Sequence, residues 1–448
     1  MLMRTPICDF VENYAHEGNL RLHMPGHKGI PFLGIEERDI TEIDGADVLY
    51  SADGIIVESE KNASELFGSG KTLYSTEGSS LCIRAMVYLI TLQAKKEGKK
   101  PLILAARNAH KTFLSAVALT DCEVEWIYPE EGESLISCRV SADRLVKKLD
   151  EMNETPAAVY LTSPDYLGFT SDIAGIAGVC RQRGILLAVD NAHGAYLKFL
   201  PKSRHPLDLG ADVCCDSAHK TLPVLTGGAY LHISKGGPKL FFDMAEQAMA
   251  LFASTSPSYL ILQSLDHANL YLSSGYKERL TQVSAEVGCL KKALIDKGFS
   301  LVGNENMKIC IEAKKYGYFG FEIAEFLSKN GIVCEFYDRD FVVMMFTPEI
   351  GEEELERLEN VLLSLPKKEK ISEKTPLVGV PEQAVSIREA MMSPSSEVDV
   401  EKAFGRILAV ASVSCPPAIP IVVCGERIDE RAMACFAYYG IKKCRVKE

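Results

Sequence analysis

The stretch ADVCCDSAHK, residues 211–220, places a lysine just beyond a short apolar run. Ala211–Asp216 does not alternate apolar and polar residues, which is typical of a strand covered on both faces. Lys220 follows among small and polar residues, where an ammonium group can be held neutral enough to form an imine with a carbonyl. Ser217, three residues earlier, can donate to a phosphate. Taken alone, Lys220 could equally be a solvated charge.

Similar apolar runs recur on both sides of this stretch and alternate with helix-like segments. The predicted strands are Leu102–Ala106, Val124–Tyr128, Ala157–Thr162, Ile185–Asp190, Ala211–Asp216 and Ala229–Ile233, and the predicted helices between them include Leu81–Lys96 and Ile173–Arg183. This rhythm predicts an α/β domain with a mostly parallel sheet and helices on both faces.

Two further segments carry polar groups that can bind a ligand. Gly78, Ser79 and Ser80 lead into a predicted helix and can cradle a phosphate at its N-terminus. Gly-Ser-Ser before a helix is more often an ordinary cap. His110 follows the strand Leu102–Ala106, at the sheet edge where α/β proteins place ligands, and its imidazole can stack on a flat ring. A lone histidine is more often an ordinary loop or core residue.

Asp190 ends a predicted strand and is followed by Asn191-Ala192-His193. An ionised aspartate beside a pyridine nitrogen favours the protonated ring, which is the electron sink of pyridoxal 5'-phosphate (PLP) chemistry. In isolation Asp190 could also ligate a metal or cap a helix. Phosphate cradle, stacking group, carboxylate and lysine occur in one order at the strand ends of one sheet. Together they predict a PLP enzyme whose Schiff-base lysine is Lys220.

Composition limits the classes of partner. The chain has 448 residues, 47% apolar and 25% charged, which indicates two or three globular domains. No run approaches the roughly 20 apolar residues that span a membrane, and the N-terminus does not resemble a signal peptide. We therefore expect a cytoplasmic enzyme. The net charge of −12 argues against nucleic acid and is compatible with a cationic substrate. The 14 cysteines lack metal spacing, so no metal is predicted.

Beyond the large domain the pattern changes twice. It turns continuously helical from about Pro257 to Lys297, and strands are predicted near Lys308–Glu312 and Phe341–Phe346. The charged run Pro366–Thr375 is a predicted linker, with a solvated helix end equally open. The predicted domains are an N-terminal arm (1–20), a PLP-binding large domain (21–256), a long helix with a small α/β lobe (257–368) and a C-terminal α+β domain (376–448).

At this point the chain resembles the Orn/Lys/Arg decarboxylases, which share the fold type I, aspartate-aminotransferase-like architecture. The resemblance covers essentially the whole chain. It is carried by LRLHMPGHKG (20–29), DITEIDGADVLY (39–50), GIIVESEKNASELFG (54–68), LTSPDYLGFTSDI (161–173), VDNAHGAY (189–196), SAHKTL (217–222), STSPSYLILQSLD (254–266) and GRILAVASVSCPPAIPIVVCGERI (405–428). Nothing before residue 20 resembles the receiver-like wing of larger members, so the compact form is expected, without assembly into decamers through that wing.

The resemblance implies roles for the individual residues. Lys220 forms the Schiff base with PLP, Asp190 pairs with the pyridine nitrogen, His110 stacks on the ring, and His193 lies near the ring edge and the reacting carbon. The phosphate is surrounded by Ser79, Ser80, Ser217 and His219. Family members form homodimers with shared active sites, and Ser254 and Thr255 are expected to reach the partner's cofactor.

The implied reaction is α-decarboxylation of arginine, lysine or ornithine to a polyamine-type amine, with arginine or lysine favoured. A buried cationic substrate end must be paired. The acids proposed for this are Glu42, Asp44, Asp47 and Glu426, each of which could equally be structural or a surface acid. Glu77, Ala418 and Cys424 depart from the family pattern and leave the choice of substrate open.

Two rival functions remain open. An aminotransferase or β-eliminating lyase could use the same fold, and an aminotransferase would hold the substrate α-carboxylate with an arginine such as Arg339. A non-catalytic PLP-fold regulator is the rival from another class. Retention of Lys220, Asp190, His110 and His193 argues against that regulator.

Overall fold

A computed structural model describes residues 3–130, 134, 136–377, 379–415 and 419–448. Ala418, one of the departures from the family pattern, lies outside the described residues. The chain divides into two compact units. The first comprises Met1–Lys100, Ala157–Val159 and Ile176–Glu278, and the second Pro101–Pro156, Tyr160–Gly175 and Arg279–Glu448.

Strands and helices alternate through the first half of the chain, as predicted. The strands are β1 Lys71–Ser75, β2 Leu102–Ala106, β3 Glu123–Ile127, β4 Ala158–Thr162, β5 Leu186–Asp190, β6 Val213–Asp216, β7 Ala229–Ile233, β8 Leu301–Val302, β9 Lys308–Glu312, β10 Phe336–Tyr337, β11 Phe341–Met345, β12 Ser395–Asp399, β13 Ser412–Cys415, β14 Ile419–Val423 and β15 Lys443–Lys447. The α-helices are α1 Pro6–His16, α2 Ile55–Phe67, α3 Ser79–Lys96, α4 Lys111–Thr120, α5 Ala142–Glu151, α6 Ile173–Arg183, α7 Pro206–Leu209, α8 Ala218–Thr221, α9 Lys239–Ala250, α10 Tyr259–Ser273, α11 Tyr276–Lys297, α12 Gly320–Lys329, α13 Glu352–Ser364, α14 Ile387–Met391 and α15 Glu430–Tyr438.

The main sheet has seven strands in the order β1, β7, β6, β5, β4, β2, β3. Strands β5 and β6 are parallel, as are β2 and β3, whereas β7 runs antiparallel to both β1 and β6. The predicted α/β class with a mostly parallel sheet is confirmed. Strand β1 was not predicted, because its sequence KTLYS mixes polar and apolar residues.

The stretch predicted to be continuously helical from Pro257 to Lys297 contains two helices, so that prediction is wrong. Helix α10 ends at Ser273 and α11 begins at Tyr276. Between them Gly275 has φ +76°, in the left-handed region that favours glycine. Apolar spacing continues across the break, which is why the sequence pattern hid it.

The second unit contains a smaller sheet with the strand order β10, β11, β9, β8. The charged run after α13 is irregular and not a helix end, because α13 already ends at Ser364. Within the run, Lys368 N–H donates to Tyr316 O (3.2 Å) and Ile371 N–H to Lys314 O (3.1 Å). C-terminal to it, β12 pairs with β15 and β13 with β14. Apolar residues such as Leu408 and Phe436 form a buried core there.

Among the residues that the structure describes, no helix combines the length and apolar character needed to cross a membrane.

Candidate active site

Lys220 contacts a histidine from the preceding strand end. It lies in the short helix α8, directly after β6, and its Nζ is 3.1 Å from Nε2 of His193. His193 follows β5 by three residues and is 5% exposed. In a hydrogen bond between two nitrogens one carries the proton and the other supplies the lone pair. The pair can therefore hold a proton and pass it on.

Asp190 is the last residue of β5 and is 2% exposed. Its Oδ1 accepts the Ala192 N–H at 3.1 Å and lies 3.8 Å from the Cys215 Sγ. The carboxylate therefore lies at the carboxyl end of β5, three residues before His193. A carboxylate fixed in this way can stabilise a cationic ring nitrogen.

The predicted phosphate cradle forms at the start of α3. Gly78 is its N-cap, with φ +71° and no side-chain cap, and a Cβ there would point toward the Ser80 N at 4.0 Å. The Ser79 Oγ accepts a hydrogen bond from the Ser217 Oγ at 2.8 Å, so the two predicted hydroxyls meet. A helix N-terminus that begins with glycine and has hydroxyl groups beside it can bind an anion through its backbone N–H groups.

His219 is half-buried and its Nδ1 lies 2.9 Å from Gly228 O. Burial lowers the pKa of His219, although the Gly228 carbonyl opposes this. The neutral ring then donates from Nδ1 and keeps a lone pair on Nε2. His219 would donate to a phosphate from Nε2 only as an imidazolium.

A buried cluster that the sequence analysis missed connects the two strand ends. The Asp216 Oδ1 accepts Asn191 Nδ2 at 2.6 Å, and its Oδ2 lies 3.0 Å from His205 Nε2 and 3.3 Å from His232 Nε2. Burial would raise the pKa of Asp216, but the two histidines hold it well below its usual range. The carboxylate thus stays ionised and fixes the chain just before Ser217.

The same cluster is the one group of possible metal ligands found among the described residues. All three side chains are fully buried, and each already has a hydrogen-bonding role. His205 Nδ1 accepts the Leu207 N–H at 3.4 Å, and His232 Nδ1 lies 2.8 Å from the Thr72 Oγ1. Within the cluster, the Asp216 carboxylate contacts the His205 Nε2 at 3.0 Å and the His232 Nε2 at 3.3 Å.

His110 belongs to the second unit and caps helix α4. Its Nδ1 accepts the Thr112 N–H at 3.2 Å and lies 3.0 Å from the Thr112 Oγ1. An Nδ1 that accepts a hydrogen bond leaves the proton of the neutral ring on Nε2. The ring is half-buried at the end of β2.

Two profiles of one family match this chain. Residues 5–314 match the major domain of the Orn/Lys/Arg decarboxylases, and residues 368–444 match their C-terminal domain. The chain belongs to the Orn/Lys/Arg decarboxylase family. An Orn/Lys/Arg decarboxylase is a PLP-dependent carboxy-lyase, so the cofactor and reaction class predicted from the sequence are confirmed.

Relatives of this decarboxylase match it over almost its full length. The chain is 28% identical to the uncharacterized protein YaaO of Bacillus subtilis, over 96% of the chain and 93% of that protein. It is also 28% identical to an arginine decarboxylase of Halalkalibacterium halodurans (96% and 92%) and 26% identical to one of B. subtilis (95% and 91%).

Solved structures support the fold of this decarboxylase. The lysine decarboxylase LdcF of Francisella novicida superposes with a TM-score of 0.80 at 17% identity, covering 100% of this chain and 81% of that one. A NifS-like protein gives 0.54 at 13% identity, covering 69% and 86%. Fold type I, predicted from the sequence, is confirmed.

The residues of the decarboxylase fit PLP on structural grounds. The first unit offers an amine beside an imidazole, a buried carboxylate and a glycine-opened helix N-terminus with two hydroxyls. An amine can bind an aldehyde, a carboxylate a ring nitrogen, and the N-terminus a phosphate.

The acids proposed to pair with the substrate lie in different environments. Glu42 is half-buried and its Oε2 accepts the Thr41 hydroxyl at 2.8 Å, while Asp44 is exposed. Asp47 is buried and accepts the backbone N–H groups of residues 53, 54 and 56, so it holds the start of α2. Ser254 N–H donates to the Glu77 Oε1 at 2.6 Å, and Thr255 is exposed.

Two other proposed residues have partners within the second unit. Glu426 is 1% exposed and pairs with Arg107 at 2.7 Å. Arg339 binds Glu373 through Nη2, at 2.8 and 3.1 Å, and its guanidinium carbon lies 4.5 Å from the ring centre of Phe319. Its Nη2 thus pairs with a carboxylate of the chain itself.

Proposed function

We propose that this decarboxylase removes the α-carboxylate of arginine, giving agmatine and carbon dioxide. The observation that carries the proposal is the Lys220–His193 contact of 3.1 Å, next to the buried Asp190. We favour arginine over lysine and ornithine as the substrate, because this chain is 26–28% identical to arginine decarboxylases along nearly their whole length.

Lys220 would hold PLP as a Schiff base, with Asp190 at the ring nitrogen and His110 against the ring face. Gly78, Ser79, Ser80, Ser217 and His219 would surround its phosphate. When bound, PLP supplies the electron sink for the pair of electrons left by departing carbon dioxide. An ionised Asp190 would keep that sink cationic.

Proton handling would fall to the Lys220–His193 pair. The Cα that loses carbon dioxide must receive a proton, and a group within hydrogen-bonding reach delivers it best. Because His193 Nε2 and Lys220 Nζ share a hydrogen bond, either one can donate while the other is neutral. The low exposure of His193 limits exchange of that proton with water.

The distal guanidinium of arginine would require a carboxylate, since a buried cation must be paired. Glu42 and Asp44 remain the proposed groups, because Asp47 binds the backbone at the start of α2 and Glu426 already neutralises Arg107. Ser254 and Thr255 would act across a homodimer interface. We further propose that the enzyme works in the cytoplasm in polyamine synthesis.

A homodimer is supported by the apolar surface of the segment from residue 20 to 35. Leu20, Leu22, Phe32 and Leu33 are between 76% and 84% exposed. Large apolar side chains exposed together in one segment favour an interaction surface. We propose that a second copy of the chain covers it.

A turnover screen tests the proposed reaction. The purified protein with added PLP would be given arginine, lysine and ornithine separately, and carbon dioxide and amine product would be measured. The highest kcat/KM is expected with arginine. Release from none of the three would contradict the decarboxylase proposal, and a keto-acid product would favour a transaminase.

A further inference from the structure

Arg107 is a buried cation directly after strand β2. Its backbone N–H donates to Ile127 O at 2.9 Å, and its side chain is 4% exposed. The guanidinium carbon lies 5.1 Å from the ring centre of Trp126 and 5.6 Å from that of Tyr128. A desolvated guanidinium needs a counter-charge as well as aromatic faces.

The counter-charge comes from the C-terminal region. Arg107 Nη2 donates to the Glu426 Oε2 at 2.7 Å, and the same oxygen accepts the Val423 N–H at 2.8 Å. Burial raises the pKa of Glu426, and Arg107 opposes that shift. The charge on this carboxylate therefore depends on the guanidinium.

A tight turn aims Glu426 at Arg107. Glu426 N–H donates to Val423 O at 3.1 Å, and Gly425 within the turn has φ +88°. A Cβ on Gly425 would lie 2.3 Å from the Gln383 Nε2 and 2.4 Å from Val385 O. A side chain at position 425 would therefore clash with these atoms, which explains the glycine before Glu426.

Arg107 is joined to His110 by a second tight turn. Ala109 N–H donates to Ala106 O at 3.1 Å, and Phe113 N–H donates to His110 O at 2.8 Å at the start of α4. The C-terminal region also holds the other end of α4, where Arg388 Nη1 donates to Ala118 O at 2.6 Å. The segment that carries His110 is therefore fixed at both ends by C-terminal residues.

We propose that Glu426 is a positioning residue, which fixes the β2–α4 turn through its buried ion pair with Arg107 and thereby orients the His110 imidazole for PLP. This inference rests on the stacking role proposed for His110. It assigns Glu426 to the cofactor instead of to the distal end of the substrate.

The test compares Glu426→Gln with Glu382→Gln. The control removes an exposed carboxylate of the same region, Glu382, which pairs with Arg427 at 2.9 Å. Three quantities would be measured: the dissociation constant of PLP from its visible circular dichroism, hydrogen exchange of residues 107–113 in the PLP-free protein, and kcat and KM.

Glu426→Gln is expected to weaken PLP binding about tenfold or more, since one partner of a buried pair is lost. It should also speed exchange of residues 107–113 and lower kcat, with KM changed less than twofold. Glu382→Gln should leave all three quantities at the wild-type values. If Glu426→Gln does not fold, Arg107→Met with Glu426→Met removes both charges together, and the faster exchange should persist.

Two results would overturn the inference. One is wild-type PLP affinity and wild-type exchange in Glu426→Gln. The other is a raised KM with unchanged PLP binding, which would make Glu426 a substrate ligand. A wild-type protein that decarboxylates none of the three amino acids refutes the proposed function instead. In that case the hydrogen exchange of residues 107–113 still shows whether the Arg107–Glu426 pair fixes the β2–α4 turn.

Discussion

At the residue scale, the proposed chemistry depends on two nitrogen atoms 3.1 Å apart, Lys220 Nζ and His193 Nε2. Lysine is the group that can bind an aldehyde, and histidine is the group that titrates near neutral pH. The arrangement assigns them separable roles, so their substitutions should fail in different ways.

Lys220→Ala should abolish the visible absorbance of the Schiff base and lower kcat/KM by about three orders of magnitude or more. The measurement is an absorbance spectrum with added PLP, together with amine production. Lys202→Ala, at an exposed lysine of the same unit, is the control and should behave as wild type. A persisting Schiff-base band in Lys220→Ala would mean that another lysine holds the cofactor.

His193→Gln should keep the Schiff-base band but lower kcat about a hundredfold, because a positioned proton donor contributes on that order. Unchanged kcat would assign the proton transfer to Lys220 alone.

Residues at predictable strand ends could be found from the sequence, whereas the cluster around Asp216 could not. Lys220, Asp190 and Ser217 follow apolar runs at short, fixed distances. Asp216 instead meets His232 from the antiparallel strand β7, and that partner depends on strand register, which no local pattern encodes. An aspartate ending a wholly apolar strand was the available signal.

At the element scale, helix α2 packs a carboxyl group against strand β1. Glu60 is 8% exposed and its Oε1 accepts the Tyr74 N–H at 2.8 Å. Burial raises the pKa of Glu60 to about 8, with the Tyr74 N–H acting in the opposite direction. The folded chain therefore binds a proton that the unfolded chain releases above pH 4.5.

This predicts a pH dependence of stability that Glu60→Gln should remove. A carboxyl group whose pKa is raised by folding stabilises the folded chain fully at pH values below its pKa in the unfolded chain. For Glu60, that stabilisation is lost as the pH rises from 4.5 through about 8. Over that window wild-type unfolding free energy should fall relative to Glu60→Gln by up to about 1.4 kcal/mol per pH unit. Urea unfolding at several pH values measures it.

Glu58→Gln is the matched control, since Glu58 is on the same helix with a side chain 47% exposed. It should leave the pH dependence unchanged. A parallel response of wild type and Glu60→Gln would show that Glu60 is ionised in the fold.

The boundaries of helices and strands could be predicted from the sequence only where the amino-acid composition changes sharply. Strands β2, β7 and β9 match their predicted bounds because charged or glycine-containing segments flank them. The break between α10 and α11 depends on one glycine conformation, and glycine within an apolar-periodic stretch does not by itself end a helix.

At the scale of the whole molecule, the exposed apolar segment from residue 20 to 35 predicts self-association. A particle of about twice 49.2 kDa is expected by light scattering after gel filtration. Leu22→Asp with Phe32→Asp should yield monomers with much lower activity, because shared active sites would be incomplete. Val333→Asp is the control, because it changes an exposed apolar residue outside the segment from residue 20 to 35. A wild-type monomer with full activity would contradict the proposal.

The buried pair of Arg107 and Glu426 also constrains how this gene can diverge. The two positions are 319 residues apart, yet each neutralises the other in a site closed to water. A substitution at one position leaves an uncompensated buried charge until the other position also changes. We therefore expect the two positions to be substituted together. A C-terminal region exchanged with that of a distant relative would work only if it brought a compatible carboxylate.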